Sequence, residues 1–319
     1  MPRTWPSPLR PGDLVVAVAP SGPVDPRRVA GGIAVAESWG LRVRVAPHVF
    51  SGHDHLRYLA APDEARAADV QQAWCDPDVR AVWAVRGGYG AQRMVDLLDW
   101  AAIRAAGPKQ LIGFSDVTAL HARLGRELDQ VTVHGPGLAS VDQLTDPAGA
   151  RALHALLFGE LRSGSVLATG RSAAEPSTGS GHVIGVLAGG NLSLLTSDIG
   201  IEPAPTEPTI LLLEEVDEPA YRIDRMLTQL LRSGWFENSV GVVIGNLGLA
   251  DDMLALDRLG PLGVPMLTGL EVGHGTRNLA LPLGADVRLE IRLASGSLAL
   301  ADLSGSPAAS AGLDDDNSR

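Results

Sequence analysis

Residues 79–90 read VRAVWAVRGGYG, an apolar run of strand length that leads directly into a glycine-rich loop. Only Arg80 interrupts the apolar run, as is typical of a strand buried on both faces. Stretches of helical period flank it, and further strand-length runs continue the alternation: LVVAVA (14–19), LRVRVAP (41–47) and QLIGF (110–114). Repeated strand–helix units predict an α/β fold with a mostly parallel sheet and functional groups at the carboxyl ends of its strands.

The length of 319 residues and the pattern of the second half predict a second domain. Strand-like segments recur from HVIGVLAGGNLSLL (182–195) onward, and closing strands are predicted near 286–302. We therefore predict four segments of the chain: an N-terminal domain over 1–140, a linker over 141–182, a C-terminal α/β domain over 183–303 and a disordered tail over 304–319. The linker includes the polar stretch RSAAEPSTGSG (171–181), which indicates a connection or a surface hairpin.

The composition excludes several classes of function. Apolar residues make up 45% and charged residues 20%, and the formal net charge of -11 disfavours nucleic acid as a partner. No apolar run approaches the roughly 20 residues that a membrane span requires, and no targeting segment is evident. The single cysteine, Cys75, excludes an internal disulfide and a zinc site built from several thiolates. We expect a soluble cytoplasmic protein without a metal.

The strongest local signal for chemistry is the segment LIGFSD (111–116). A strand feeds a tight turn and then an amphipathic helix, which places Ser115 on an exposed corner. The amides that follow point from a helix N-terminus, where they can hold an oxyanion. The familiar G-x-S-x-G pattern is incomplete because Val117 replaces the second glycine, and the alternative is that Ser115 or Asp116 is only an N-cap.

A serine nucleophile needs a base and a carboxylate that orients the base. His274 is the best candidate base because glycines flank it in the loop VGHGT (272–276). Glu214 and Glu215 end an apolar strand, so their side chains point to opposite faces. One of them can enter a cleft while the other meets solvent or a cation such as Arg222 or Arg225.

The remaining histidines have less specific surroundings. His53 and His55 are spaced like a metal pair, but no third ligand is apparent nearby, so a solvated loop is predicted. His121 and His154 are predicted to be structural or at the surface, and His182 lies in the linker region. His134 follows the short strand VTV (131–133) and is a candidate for a supporting group.

Two glycine segments allow the backbone to approach a ligand or another element closely. The loop RGGYG (86–90) lacks the lysine, the hydroxyl and the spacing of phosphate-binding loops. An oxyanion donor or a substrate-binding turn therefore fits this loop better. Gly189-Gly190-Asn191 is predicted to form either a cleft wall or a tight packing contact.

These segments, taken together and in this order, resemble the LD-carboxypeptidases, a family that includes the microcin-immunity peptidases. The resemblance runs from Gly12-Asp13 to about residue 290. The segments that carry it are APSG (19–22), VRGGYG (85–90), GFSD (113–116), LAGGNL (187–192), LEE (213–215) through YRIDRML (221–227), and Gly273-His274.

The resemblance implies a serine nucleophile, a glutamate and a histidine, which map to Ser115, Glu214 and His274, with Glu215 as an alternative to Glu214. It also implies an oxyanion hole formed by backbone amides, here those of Gly88 and Asp116. Further implications are an N-terminal Rossmann-like domain, a β-rich C-terminal α/β domain, an active site in the cleft between them, a homodimer, and no cofactor.

The activity implied is hydrolysis of an L-to-D peptide bond that releases terminal D-alanine from murein tetrapeptide during peptidoglycan recycling. The substrate is then a small peptide, and Arg86, Gly87 and Tyr89 are candidates to bind it. Arg86 could bind the free carboxylate, although a structural salt bridge is an equal alternative. Two other functions remain open: an immunity-type peptidase acting on peptidyl or aminoacyl nucleotides, and a non-catalytic binding protein with the same fold.

Overall fold

Two β-sheets organise the chain in a computed structural model that describes residues 3–172, 181–248 and 252–301. The first sheet has five parallel strands: β1 (Leu14–Val18), β2 (Arg42–Val45), β3 (Val79–Ala84), β4 (Gln110–Gly113) and β5 (Thr132–His134). A sixth strand, β11 (Leu281–Leu283), pairs antiparallel with β5 and completes the order β11-β5-β4-β3-β1-β2. The predicted parallel sheet is confirmed.

From β1 the chain continues to β2 on one side of the sheet, and from β3 it continues to β4 on the other side. The connections therefore leave these two neighbouring strands in opposite directions, which creates a crevice at their carboxyl ends. The loops that leave the two strands meet there, and the Gly22 amide donates a hydrogen bond to the Gly87 carbonyl over 3.2 Å. The topology therefore brings the glycine loop to the place where ligands bind in open α/β sheets.

Helices connect the strands of the first sheet. They are α1 (Pro26–Ser38), α2 (Asp63–Cys75), α3 (Ala91–Met94), α4 (Trp100–Ala106) and α5 (Thr118–Leu128). The sequence predicts one helix near 91–105, but the chain breaks between α3 and α4. Asp99 causes the restart, because its carboxylate accepts hydrogen bonds from the amides of Ala101 and Ala102.

The second sheet is a closed barrel of seven strands. They are β6 (Val166–Ser172), β7 (Gly181–Asn191), β8 (Thr209–Glu214), β9 (Ser239–Ile244), β10 (Met266–Thr268), β12 (Asp286–Ile291) and β13 (Gly296–Leu300), joined in the order β10-β6-β13-β12-β7-β8-β9. Strands β7 to β10 pair in parallel and the other pairs are antiparallel. A β-rich C-terminal unit is thus confirmed.

Strand β8 is buried on both faces, which explains its unbroken apolar sequence. Ile210 and Leu212 belong to the core of the barrel. Leu211 and Leu213 face a second core that is covered by α8 (Leu192–Ser197), α9 (Ala220–Arg232) and α10 (Asp252–Leu259). Because side chains alternate along a strand, Glu214 lies on the same face as Ile210 and Leu212.

The described part of the predicted linker, residues 141–172, is folded. It contains α6 (Val141–Thr145), α7 (Pro147–Leu157) and β6, a strand of the barrel. The periodicity of α7 was visible in the sequence, but the pairing of β6 with β13 joins residues far apart in the chain. Residues 173–180 and the predicted tail lie outside the described residues.

None of the described helices is long and apolar enough to cross a membrane.

Candidate active site

Ser115 occupies the corner that the sequence predicts, directly after β4. Its backbone φ is 63°, in the left-handed region that residues with a side chain rarely adopt. A single turn of tight helix over 115–117 then leads into α5. Ser115 is partly exposed while its neighbours Phe114 and Asp116 are buried. Strain of this kind persists where the surroundings impose it, and it clusters at functional sites.

The glycine loop lies against the serine. A Cβ atom added at Gly87 would come within 2.7 Å of the Ser115 Cβ and 2.8 Å of its Oγ, so only glycine fits there. Gly88 has a φ of 118° and is exposed. The Asp116 amide nitrogen lies 3.3 Å from the same Cβ position at Gly87. The amide of Asp116 and the backbone of Gly87 thus lie next to the serine hydroxyl.

The carboxylate of Asp116 points into the core and ties the serine corner to the glycine loop. Its Oδ2 accepts a hydrogen bond from the Ala91 amide over 2.7 Å. Burial raises the pKa of this carboxyl above its ordinary value, and the hydrogen bond from the Ala91 amide acts in the opposite direction. The side chain is therefore structural, and only the amide of Asp116 is available to a ligand.

Arg66 holds the other side of the loop, which sequence reasoning missed. The side chain is 1% exposed. Its guanidinium donates to the carbonyls of Gly90 over 2.8 Å and Ala61 over 3.0 Å, to that of Pro20, and to the Asp63 carboxylate. One buried cation thus joins three loops around Ser115. The only signal in the sequence was an arginine among the buried positions of α2.

His274 and Glu214 form a hydrogen-bonded pair at the mouth of the barrel. The distance from His274 Nδ1 to Glu214 Oε2 is 2.6 Å, and the glutamate is fully buried while the histidine is 16% exposed. Burial alone would lower the pKa of His274, but the hydrogen bond and the negative charge of Glu214 outweigh it and raise this pKa above its ordinary value. His274 is therefore oriented by Glu214 and made a stronger base.

The imidazole of His274 packs against Phe114, with 4.8 Å between the ring centroids. Phe114 directly precedes Ser115, so the histidine of the barrel and the serine of the first sheet lie at the same junction. No hydrogen bond joins the Ser115 hydroxyl to His274 in the described part of the chain. Such bonds are often long in ligand-free hydrolases and shorten when substrate binds.

Glu215 is buried on the opposite side of the chain from the histidine. It meets neither solvent nor Arg222 or Arg225, which corrects the predicted surroundings of the second glutamate. Its carboxylate accepts hydrogen bonds from Asn191 Nδ2 over 3.0 Å and from the amide and hydroxyl of Ser193 over 2.8 and 2.6 Å. These donors lie at the N-terminus of α8, where a negative charge is favourable.

The Gly189-Gly190-Asn191 segment makes a tight packing contact between the two sheets. A Cβ atom at Gly190 would come within 2.7 Å of Thr118 Oγ1, and the Asn191 amide donates to that oxygen over 3.1 Å. Of the two predicted roles, the structure shows the packing contact. It fixes the start of α5 against the barrel.

The loop that carries His274 is held by residues of α6 and by the residue that precedes α7. Gln143 Nε2 donates to the carbonyls of Gly273 and Gly275 over 3.2 and 2.8 Å. The Asp146 carboxylate pairs with Arg277 over 2.7 Å. Both holding residues come from the segment predicted as a linker, where nothing in the local sequence marked them.

Two histidines predicted to be structural or supporting lie in the buried region below the site. His121 donates from Nε2 to the Gly113 carbonyl over 2.9 Å, and burial lowers its pKa to about 3. His134 is fully buried, and its Nε2 lies 4.0 Å from the second oxygen of Glu214. His121 therefore supports the serine strand, and His134 lies beside the glutamate.

Arg86 and Tyr89 line the outer face of the glycine loop. Arg86 is exposed and donates from Nη1 to the Pro23 carbonyl over 2.9 Å. No carboxylate of the described residues forms an ion pair with it. The ring of Tyr89 lies 5.8 Å from that of Tyr58, and each side chain is about half exposed. The loop thus presents Arg86 and Tyr89 to solvent, and Tyr58 lies beside Tyr89.

Within residues 3–172, 181–248 and 252–301, no group of three potential metal ligands is found. His53 and His55 lie in one exposed loop, and the amides of His55 and Leu56 donate to His53 Nδ1. A separate cavity of about 330 Å³ lies between α5 and the barrel, and Ser115, Glu214 and His274 do not line it.

The chain is similar to known proteins along both of its sheets. Residues 15–135 match the LD-carboxypeptidase N-terminal domain and residues 184–289 match the LD-carboxypeptidase C-terminal domain. A Streptomyces coelicolor protein named as a carboxypeptidase is 45% identical over 89% of this chain and 93% of its own. The murein tetrapeptide carboxypeptidase of Pseudomonas aeruginosa is 31% identical over 86% of this chain and 92% of its own.

Solved structures share the fold. The muramoyltetrapeptide carboxypeptidase of Oxalobacter formigenes superposes with a TM-score of 0.75 at 26% identity, covering 91% of this chain and 99% of that one. An MccF-like protein of Bacillus anthracis superposes with a TM-score of 0.79 at 21% identity, covering 93% and 99%. With both domains matched and relatives aligned along most of its length, the chain belongs to the LD-carboxypeptidase family and is a serine-type carboxypeptidase.

Proposed function

We propose that this chain hydrolyses the bond between an L-configured centre and a terminal D-alanine in murein tetrapeptide, with Ser115 as nucleophile, His274 as general base and Glu214 as the carboxylate that orients it. The observation that carries this proposal is the 2.6 Å hydrogen bond that His274 donates to Glu214 at the junction that holds the strained Ser115. The names of the tetrapeptide-cleaving relatives support the substrate class.

The reaction is acyl transfer to water. His274 Nε2 takes the hydroxyl proton while Ser115 Oγ bonds to the peptide carbonyl carbon, and the amides of Gly88 and Asp116 stabilise the resulting oxyanion. The tetrahedral intermediate expels the D-alanine amine, which receives the proton from His274. Water then attacks the acyl-enzyme while His274 takes its proton, and His274 returns that proton to Ser115 Oγ as the tripeptide leaves with a free carboxylate.

The exposed groups of the glycine loop are suited to bind the peptide next to the bond that is cleaved. A carboxypeptidase must bind the free carboxylate of the departing residue, and Arg86 offers a guanidinium at the glycine loop without a carboxylate partner among the described residues. Gly87 and Tyr89 line the same loop and complete the proposed substrate-binding set. Cytoplasmic location and a homodimeric state, which the family resemblance implies, belong to the same proposal.

A second candidate substrate is a peptidyl or aminoacyl nucleotide. The observation in its favour is the half-exposed pair of Tyr58 and Tyr89 beside Gly88, because nucleobases stack on aromatic faces. The chemistry at Ser115 would be the same, and only the leaving group would differ.

The test measures release of D-alanine from L-Ala-γ-D-Glu-(diaminopimelate)-D-Ala by the purified protein, by Ser115→Ala and by His274→Ala. We expect release by the unmodified protein and its loss in both variants. If the unmodified protein releases nothing but a fluorophosphonate still labels Ser115, the substrate assignment is wrong and the nucleotide conjugate is assayed next. If neither release nor labelling occurs, the chain acts as a binding protein and the proposed triad is wrong.

A further inference from the structure

The buried histidine of β5 faces the buried glutamate of β8 across the junction of the two sheets. His134 and Glu214 are both 0% exposed, and 4.0 Å separates His134 Nε2 from Glu214 Oε1. The other glutamate oxygen, Oε2, bonds His274. A single carboxylate therefore lies between one imidazole at the cleft and a second imidazole in the core.

The atoms on this inner side lack other partners. Glu214 Oε1 and both ring nitrogens of His134 are buried and form no hydrogen bond with the described residues. Buried polar atoms are nearly always hydrogen-bonded in folded proteins, and a buried anion above all needs a donor. His134 can supply an N–H to Oε1 from its Nε2, although the present 4.0 Å is longer than a hydrogen bond.

The backbone fixes the position of His134. Its strand lies between β4 and β11, with Gly113 and Leu281 as its register partners. Two aromatic rings pack near the imidazole, those of Phe114 at 6.0 Å and His121 at 6.5 Å between centroids. His121 is held neutral by burial, so Glu214 is the charged group that His134 faces.

We propose that His134 is a positioning residue that directs its Nε2 proton at Glu214 Oε1, so that the carboxylate stays ionised and keeps Oε2 turned toward His274. This inference rests on the proposed roles of Ser115, Glu214 and His274. His134 exchanges no proton with substrate. It acts during turnover by preventing Glu214 from taking up the proton that His274 receives.

The inference predicts a direction for the pH dependence. A donor on Oε1 stabilises the carboxylate and weakens its pull on the His274 proton. Without this donor the carboxylate becomes more basic, and the pKa of His274 rises further. Because the reaction needs neutral His274, the acid limb of kcat/KM, which we expect above pH 6.5 in the unmodified protein, then moves to higher pH.

Three substitutions at His134 distinguish the loss of its N–H donor from the loss of its side-chain volume. His134→Gln places an amide N–H close to the position of Nε2, His134→Asn places it near Nδ1, and His134→Phe removes it while keeping a ring of similar size. We expect the Phe and Asn variants to shift the acid limb upward and to lower kcat by about tenfold or more, as for the loss of a hydrogen bond to a charged group. The Gln variant should stay near the unmodified protein in both respects. His121→Gln, another buried histidine on the same side of the site, is the matched control and should leave the acid limb in place.

A titration of the downfield Nδ1 proton of His274 by NMR reports its pKa without any substrate. This measurement tests the role of His134 even if murein tetrapeptide is not cleaved, so the two proposals can fail separately. Thermal unfolding of each variant establishes that it is folded, and the Asn variant carries the test if the Phe variant is not. Unchanged His274 pKa values in the Phe and Asn variants, or equal shifts in Gln, Asn and Phe, would overturn the inference.

Discussion

At the scale of single residues, the hydrogen bond between His274 and Glu214 requires that the neighbouring residue, Gly273, has no side chain. Gly273 has a φ of 91°, and a Cβ atom there would come within 2.9 Å of the Glu214 Cβ and overlap the carboxylate. The backbone amide of Gly273 is fixed by the Asn278 side chain over 2.8 Å. The glycine therefore does more than make the loop flexible, because it leaves the volume that the carboxylate fills.

We predict that Gly273→Ala separates Glu214 from His274 and lowers kcat for D-alanine release by about a hundredfold or more, since a misplaced catalytic group has this effect. Steady-state kinetics on folded protein provides the measurement. Gly275→Ala is the matched control, because its Cβ would meet its nearest neighbour at 3.2 Å, the Arg277 carbonyl, and its φ is not in the left-handed region. Equal losses in the two variants would contradict this account.

Residue identities in the sequence were sufficient to select Ser115, Glu214 and His274 as candidates, because each lies at or after the end of an apolar strand and glycines flank His274. They were not sufficient to distinguish the surroundings of Glu214 from those of Glu215. Both carboxylates are buried, but they accept hydrogen bonds from different donors. His274 donates to Glu214, whereas Asn191 and Ser193 donate to Glu215. Those donors come from segments that are distant in sequence from the glutamates.

At the scale of elements, α8 depends on a carboxylate from the neighbouring strand. The helix has six residues, and the Glu215 side chain accepts hydrogen bonds from Asn191 and from Ser193 at its N-terminus. A helix this short has little stability of its own, so tertiary hydrogen bonds must hold it. Asn191 also contacts Thr118 at the start of α5, which links this end of the barrel to the serine helix.

We expect Glu215→Gln to destabilise the protein by about 1–3 kcal/mol, because a buried charge-assisted network loses its anion. Its effect on kcat should be smaller than that of any change at Glu214, since Glu215 does not touch His274. Chemical denaturation and kinetics on the same samples measure both quantities. Glu218→Gln, a change at a partly exposed residue that pairs with Arg222, is the control and should alter stability only slightly.

The elements themselves were largely predictable, because hydrophobic periodicity is local. Strands β1 to β4 and β8 begin and end within a few residues of the apolar runs that predicted them. The closure of the barrel was not predictable in this way. It requires β6 to pair with β10 and β13, and no short-range pattern encodes partners separated by about a hundred residues.

At the scale of the whole molecule, the region between the two sheets holds the loop of His274 in place. Gln143 and Asp146 reach this loop from α6 and from the start of α7. Arg277 lowers the pKa of Asp146 to about 2, so the pair remains charged at neutral pH. The segment thus couples the position of His274 to the first sheet.

Removing one of these contacts should loosen the loop without unfolding the protein. We predict that Asp146→Asn lowers kcat by about threefold to tenfold, with a small change in melting temperature, since the ion pair is partly exposed. Asp142→Asn removes an exposed partner of Arg28 from the same segment and serves as control. A loss of kcat in the control as large as in Asp146→Asn would show that the whole segment, rather than the Arg277 contact, is responsible.

The antiparallel strand β11 has a consequence for how the protein is made. Residues 281–283 pair with β5, although about 150 residues of chain separate the two strands. A ribosome adds roughly 5–20 residues per second, so the nascent first sheet waits about 8–30 seconds with the edge of β5 unpaired. An unpaired strand edge is a site for pairing with other chains. The first sheet is therefore completed only when residues 281–283, which follow His274 in the chain, have been synthesised.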